Sequence, residues 1–375
     1  MELTFEPLGK YVHLVDERNT NLVTESVLGI NIDKYFMPSV ANIIGTDLSN
    51  YKLLRKGRFA CNPMHVGRDG RLPVSRYTED APAIVSPAYF MFEVIDENEI
   101  DPEYLMLCFR RPDFDRMCWY RTDASVRGGI TWDDVCVLTI PVPPIDEQRR
   151  IVHDYQVITD RIELLRKINE NLEEQADLRF SNFMDSLSGN EGFFSDVIKI
   201  MGGGTPSTIV NEYWNGSIPF FTPGDIDGVF CYSTAKTLTD EGLTNCSSKK
   251  FPVKTTFITC RGTVGKVAMA GIPMAMNQTC YALMGKGKYP DCFVFEFVKY
   301  FVNSIKRKAN GGVFDAITTK DFETEKAIIP SIEQAIAFDK SIEPFFTAIF
   351  NNQREMVTLK NIQTLLMNAT TQKGA

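Results

Sequence analysis

The sequence has few histidines, no closely spaced cysteine pairs and no long apolar runs, and each shortage excludes a class of protein. Only three histidines are present, and the nine cysteines (Cys61, Cys108, Cys118, Cys136, Cys231, Cys246, Cys260, Cys280 and Cys292) include no Cys-x-x-Cys pair, so a zinc cluster lacks its usual ligand spacing. An odd cysteine count also argues against a disulfide framework. No apolar run approaches the roughly 18 to 20 residues that span a bilayer. The start, Met1-Glu2-Leu3-Thr4-Phe5-Glu6, lacks a basic region followed by an apolar stretch. A cytoplasmic protein with no membrane partner and no bound metal is therefore expected. Basic charge is short as well: 40 Lys and Arg stand against 48 Asp and Glu, a net charge of -8, which runs against any general attraction to nucleic acid. What remains, 375 residues at 44% hydrophobic and 23% charged, is a globular chain long enough for two cores.

Two long helical patterns organise it. From Ile151 the apolar positions run Ile151, Tyr155, Ile158, Ile162, Leu165, Leu172 and Ala176, with Asn169 in the slot between. Steps of four and three make this a heptad seam. A second seam runs Ile342, Phe345, Ile349, Asn352, Met356 and Leu359, then Gln363 and Leu366. The first follows Pro141-Val142-Pro143-Pro144-Ile145-Asp146-Glu147-Gln148 and the second follows Pro330-Ser331-Ile332-Glu333-Gln334, so Gln148 and Gln334 stand 186 positions apart, half the chain. Pro144 with Asp146 and Glu147 suits a helix start, where proline has no amide to lose and carboxylates meet exposed amides. A helix over 148–185 would be roughly 57 Å long, a spacer rather than a core element. Packed as an antiparallel pair, the two would bring Asn169 and Asn352 together to fix register. Pro344 either kinks the second helix or opens it as a first-turn proline.

Each half before its helix mixes short strands, turns and one helix. In the first, strand-like runs at 58–61, 83–85 and 88–94 precede a helix from Pro102 to Arg110 capped by Asp101, and the turn Arg127-Gly128-Gly129-Ile130 follows. In the second, Phe194 to Ile200 leads into the turn Gly202-Gly203-Gly204-Thr205-Pro206-Ser207. Later come Arg261-Gly262-Thr263-Val264-Gly265-Lys266, the run Met276 to Leu283, a helix from Phe293 to Lys306, and Asn310-Gly311-Gly312-Val313. The fold class is α+β, a duplicated unit.

This order resembles the specificity subunit of type I restriction-modification systems. The resemblance covers the whole chain. It is carried by Gly202 to Ser207 with Ile218-Pro219-Phe220 and Pro223-Gly224-Asp225-Ile226, by the two Gly-Gly turns, by Ile140 to Gln148 and, more weakly, by the repeat at Pro330. It implies two target-recognition domains in pseudo-twofold repeat (1–145 and 187–329), each reading half of a split DNA sequence. Two long antiparallel coiled-coil-like helices (146–186 and 330–375) would separate them and act as a ruler. It further implies a chain that is itself non-catalytic and binds no cofactor. In that family two modification subunits bind S-adenosylmethionine and methylate adenine N6, and two restriction subunits use ATP and Mg to translocate and cleave double-stranded DNA. The second repeat departs from the pattern, with Pro330-Ser331 in place of Pro-Val-Pro-Pro, and the first half lacks a Gly-Thr-Pro-Ser turn after Leu8-Gly9-Lys10.

Charge by segment shows where DNA could be met. Residues 1–145 hold 15 basic and 21 acidic side chains (-6), 146–186 hold 6 and 10 (-4), 187–329 hold 15 and 13 (+2), and 330–375 hold 4 and 4. Local patches and partner subunits must then supply the phosphate neutralisation. In the first half Arg55, Lys56, Arg58, His65, Arg68, Arg71 and Arg76 lie near turns, and Arg121 and Arg127 flank Trp119 and Tyr120. In the second, Thr205, Lys249, Lys250, Lys254, Arg261, Lys266, Lys306, Arg307 and Lys308 are comparable. Base reading needs bidentate groups, which singles out Arg68, Arg71, Arg261, Asn277 and Gln278. A solvated surface charge or a turn amide is the ordinary role of any one of them.

Three rival classes have weaker support in the residues. A DNA adenine methyltransferase would carry an Asn/Asp-Pro-Pro-aromatic run, but Asn62-Pro63-Met64-His65 lacks the second proline and the aromatic. A phosphate loop at Gly202-Gly203-Gly204-Thr205 lacks its Gly-Lys-Ser/Thr ending. A coiled-coil adaptor without DNA binding draws on the acidity of residues 1–145.

Overall fold

The computed structural model describes residues 4–40, 44–64, 66–122, 128–189, 191–308 and 316–369, without the side chains of 307, 308 and 369. Two compact units divide it: Met1–Asp160 with Asn361–Ala375, and Arg161–Lys360.

The first unit is built on a four-stranded antiparallel sheet in the order Val12–Leu14, Phe90–Val94, Phe59–Cys61, Val74–Arg76. Phe59 and Phe92 stack across adjacent strands at 5.1 Å, and Phe109 meets both edge-on from the helix Pro102–Phe109. That helix starts where the sequence places its cap, since Asp101 accepts from the amides of Glu103 and Tyr104 at 2.8 and 3.0 Å. Gly128 is the turn residue for two reasons. Its φ is +56°, and a Cβ on it would stand 2.7 Å from the Cα of Gly67. All four residues of the second Gly-Gly turn, Asn310 to Val313, lie outside the described residues, as does Arg127 in the first.

The second unit carries a five-stranded sheet in the order Ile198–Gly202, Cys280–Gly285, Thr256–Thr259, Val267–Ala270, Phe230–Cys231, the last strand joining in parallel. A three-stranded sheet holds Thr237–Leu238, Trp214–Phe221 and Ala275–Met276. The helix Asp291–Lys308 lays Phe293, Phe297 and Phe301 into the core beside Phe194. Phe194 to Ile200 divides in two: Phe194–Val197 turns as a short helix, and the strand begins at Ile198. The acceptor that Asp196 offers the Phe193 amide favours that turn.

The duplication extends to connections that the sequence order only suggests. Phe5–Pro7 pairs with Thr139–Pro141 in one unit, and Glu191–Phe193 pairs with Lys326–Ile328 in the other. Tyr104 donates its hydroxyl to the Pro141 carbonyl at 3.0 Å, and Tyr289 does the same to Pro330 at 2.8 Å.

The long helices run over Ile145–Ser186, 42 residues, and Ile332–Ala369, 38 residues. At 1.5 Å per residue the first is about 63 Å long. In the second unit they are antiparallel: Arg161 pairs with Glu355, Asn169 with Asn352, and Arg179 with the Ser341 carbonyl. Buried positions on the first step through Ile162, Leu165, Asn169, Ala176, Phe180 and Met184. The second helix buries two faces. Phe345 and Asn352 face the first helix, under Arg179 and against Asn169. Phe346 packs instead on Phe295 of the helix Asp291–Lys308 and on Phe230 of the sheet, and Gln353, two turns on, bonds to Phe230 there. In the first unit Gln363 donates to Thr159 at 2.8 Å.

Pro344 lies inside the second helix, which begins at Ile332, so it is not a first-turn proline. Proline cannot donate to the turn before it and crowds the carbonyl there. Arg179 donates to the Ser341 carbonyl of that turn at 3.1 Å, and its guanidinium lies 4.6 Å from the Phe345 ring.

Asn352 Nδ2 donates to Asn169 Oδ1 at 2.8 Å, and Asn169 is only 8% exposed. Replacing Asn352 with Ala strands the Asn169 carboxamide, and thermal melts should show a loss of about 1–3 kcal/mol. Converting both to Leu should recover that loss, because the seam is then apolar throughout.

Candidate nucleic-acid interface

In the second unit the glycine turn is a structural wedge. A Cβ on Gly203 would fall 2.1 Å from the Asn277 carbonyl oxygen, and one on Gly204 would fall 2.4 Å from the Ser247 hydroxyl. Without Cβ atoms the Gly202–Ser207 loop therefore closes onto two others, 247–250 and 277–279. The amide of Gly204 donates to the Met276 carbonyl at 3.2 Å, and Ser248 Oγ accepts from the Met276 amide at 3.0 Å. This brings Thr205, Asn277 and Gln278 together, with Lys249 and Lys250 following directly on Ser248.

The hydrogen bonds inside this cluster decide what it can bind. Thr205 donates its hydroxyl to Gln278 Oε1. Asn277 Oδ1 accepts from both the amide and the hydroxyl of Thr279 at 3.1 and 2.8 Å. Both amide acceptors are occupied, while both NH₂ groups make no hydrogen bond among the described residues. The cluster therefore offers donors, suited to phosphate oxygens or to the acceptor atoms of base edges; the bidentate adenine contact needs a donor and an acceptor together.

A second loop, Arg261 to Lys266, is braced from within. Thr259 Oγ1 accepts from the Lys266 amide at 2.9 Å and donates to the Thr263 carbonyl, and Gly262 and Gly265 take φ of +75° and +79°. Arg261, Lys266 and Lys250 are exposed and form no ion pair among the described residues. Lys266 also lines a cleft of about 310 Å³ with Lys299, Lys306, Asn303 and Glu173. Lys299 there pairs with Asp177, and Glu296 and Glu173 approach it at 3.7 and 4.0 Å. Burial pushes the Glu296 carboxyl well up, against the pull of Lys299.

The first unit behaves differently. Arg58 is held by Glu17 and Glu93, each at 2.6 Å, and by the Leu53 carbonyl, and its side chain is 13% exposed. Arg68 forks onto Asp69, Arg71 meets Asp33 at 3.0 Å, Arg76 meets Glu103, and Arg121 approaches Asp134 at 3.7 Å. His65, Arg127 and the side chain of Lys308 lie outside the described residues. Cations without an ion pair do occur, at positions the sequence reading passed over. Arg110 and Arg116 are exposed beside a cleft of about 390 Å³ that Lys34, Arg71, Asp33 and Asp115 also line. Lys34 at its edge is buried, which lowers its pKa against the pull of Asp115, to which it donates at 2.7 Å. Arg110 ends one helix and Arg116 lies in the next, Pro112–Tyr120. The Arg-Arg-Pro junction at 110–112 was the available signal.

Two α+β units joined by long helices, with free cations and amide donors on exposed loops, define a DNA-recognition scaffold as a class. Residues 190–365 match the family described as "Type I restriction modification DNA specificity domain". The chain is 22% identical to the HindI specificity subunit of Haemophilus influenzae over 89% of its own length and 90% of that protein. It is 27% identical to the MjaIX specificity subunit of Methanocaldococcus jannaschii, over 44% of this chain and 40% of that one. The crystal structure of a type I restriction-modification S subunit from M. genitalium superposes with a TM-score of 0.56 at 13% identity, covering 99% of this chain and 96% of that one. Residues 190–365 thus carry a type I restriction modification DNA specificity domain, and the likeness to type I specificity subunits along most of the chain supports the role of a sequence-specific DNA-recognition subunit. Among the described residues no helix is long and apolar enough to cross a membrane.

The free and the paired cations should separate experimentally. Lys250→Ala should leave thermal stability within about 0.5 kcal/mol while lowering the slope of log affinity for DNA against log salt by about 0.9. Arg58→Ala should instead lower stability by about 2–3 kcal/mol, because it strips two carboxylates of a largely buried partner. The hydrogen bond from Arg55, with Arg58 behind it, holds the Glu17 carboxyl at about 2. A depressed carboxylate stabilises the fold above its unfolded value and loses that contribution as pH falls toward 2. Acid titration followed by circular dichroism should show that loss between about pH 4.5 and 2, and Glu17→Gln should remove it.

Proposed function

We propose that residues 1–145 and 187–329 each read one half of a bipartite target in double-stranded DNA, and that the long helices over 146–186 and 330–375 set the gap between the halves and dock two modification subunits. The observation that carries this is the antiparallel helix pair locked by Asn169 and Asn352. A rigid rod longer than one DNA turn of about 34–36 Å can hold two readers in successive major-groove positions. The readers hold DNA with Lys250, Arg261, Lys266, Thr205, Asn277 and Gln278 in one domain. In the other, Arg110 and Arg116 join Arg68, Arg71, Arg76, Arg121, Arg127 and His65, while Arg58 serves as a strut, and Lys308 adds to the second set. Carboxylate-paired arginines exchange partners or serve as struts.

The chain itself is non-catalytic and holds no cofactor. The modification subunits bring S-adenosylmethionine for adenine-N6 methylation, and two restriction subunits bring ATP and Mg for translocation and cleavage. The complex works in the cytoplasm. The net charge of -8 fits a subunit whose partners supply part of the cationic surface.

Single-molecule methylome sequencing tests the reading in cells with the modification subunit, with and without this chain. A split adenine-methylated motif should appear only when the chain is present. Identical methylomes with an active modification subunit would sink the proposal and favour an adaptor without DNA binding. Inserting one helical turn, about 5.4 Å, into both long helices should change the gap and leave the half-sites unaltered.

A further inference from the structure

Among the side chains through which the second long helix grips the body of its unit is one that its heptad pattern does not single out. Gln353 is 6% exposed. Its Oε1 accepts from the Phe230 amide at 2.8 Å, and its Nε2 donates to the carbonyls of Asp227 and Phe230 at 3.1 and 3.4 Å. Gly228, at φ +106°, makes room for it, since a Cβ there would stand 2.2 Å from Nε2. One turn earlier, the Phe350 carbonyl accepts from the Tyr232 hydroxyl at 2.6 Å, and two turns later Lys360 meets Asp227 at 2.7 Å. The segment 227–232 is therefore held along one face of the helix.

That segment leads to the loop with free cations. Phe230 pairs with Met269 in the five-stranded sheet, and the strand Val267–Ala270 begins directly after Lys266. A backbone fork of this kind fixes both translation along the helix and rotation about it, because the neighbouring helix position points about 100° away. On the first long helix, Gln148 makes the equivalent fork: it is fully buried, accepts from the Asp101 amide at 2.9 Å and donates to the Glu99 carbonyl at 3.0 Å. Its sequence counterpart, Gln334, does not. It is exposed, and its Oε1 accepts from the Ser331 amide three residues away.

We infer that Gln353 is the positioning residue that sets the phase of the second DNA reader on its spacer helix, and with it the gap between half-sites that the complex accepts. The inference rests on the reader-and-ruler function proposed above. It assigns the task to a residue outside the Pro-x-Ile-Glu-Gln repeat.

The test measures methylation rates by the complex of the full chain with its modification subunits. The duplexes carry the same two half-sites at the native gap, one base pair shorter and one longer. Wild type should prefer the native gap sharply. Gln353→Ala should cut the ratio of native-gap to next-best-gap rates about tenfold, in line with the loss of a buried amide's partners. Gln353→Glu keeps the acceptor for Phe230 but sets a carboxylate against two carbonyls. It should broaden the profile in the same way, and it carries the test if the alanine variant does not fold. Gly228→Ala, pressing on Nε2, should shift the profile too. Rates that fall equally at every gap, with the ratio unchanged, would overturn the inference and leave Gln353 a purely stabilising residue. A wild-type profile flat across gaps would overturn the reader-and-ruler function itself, before any substitution is made.

Discussion

The carboxamide contact between Asn169 and Asn352 is the constraint on which the long helices depend. An apolar seam with steps of three and four buries similar surface in several registers, so aliphatic residues alone choose weakly among them. A carboxamide in the seam is costly unless its partner stands opposite, which leaves one register satisfied. The exposed pair of Arg161 with Glu355 adds little beside this. Asn352 and Gln353 are adjacent on the helix, one turned to the other helix and one to the strand segment at Phe230. The same register that satisfies the asparagines thus also presents the glutamine fork.

Charge is handled differently in the two units. In the first, an acidic segment supplies carboxylates to its own arginines, from Glu17 and Glu93 on Arg58 to Asp134 beside Arg121. Ion pairs of this kind brace turns and hide charge. In the second, Lys250, Arg261 and Lys266 sit on loops closed by glycine wedges and an internal threonine brace, without an ion pair among the described residues. A loop held rigid by its own backbone keeps its cations and amide donors in place without ion pairing, and a polyanion then meets a preformed surface.

The sequence was informative where structure follows from local pattern. The heptad steps from Ile162 to Ala176 and the cap at Asp101 before Pro102 each depend on residues within a few turns of one another. The repeated Pro-x-Ile-Glu-Gln marked the duplication, and it also misled, because Gln148 and Gln334 share a motif but only Gln148 is buried against distant backbone. The heptad steps of the second helix predict one apolar stripe. The structure has two, since Phe346 and Gln353 face the body of the unit at Phe230 and Phe295, which no periodicity within the helix could reveal.

By itself, then, the sequence determined the α+β duplication, the two long helices and the asparagines within their seams, because periodicity, caps and turn residues are properties of neighbouring positions in the chain. The tertiary structure decided which cations are free, why Arg58 is a strut and Arg110 lies beside a cleft, and which glutamine holds the second helix. Those outcomes turn on carboxylates and backbone groups tens to more than a hundred positions away, such as Glu17 from Arg58 and Phe230 from Gln353, and only folding brings them within hydrogen-bond reach.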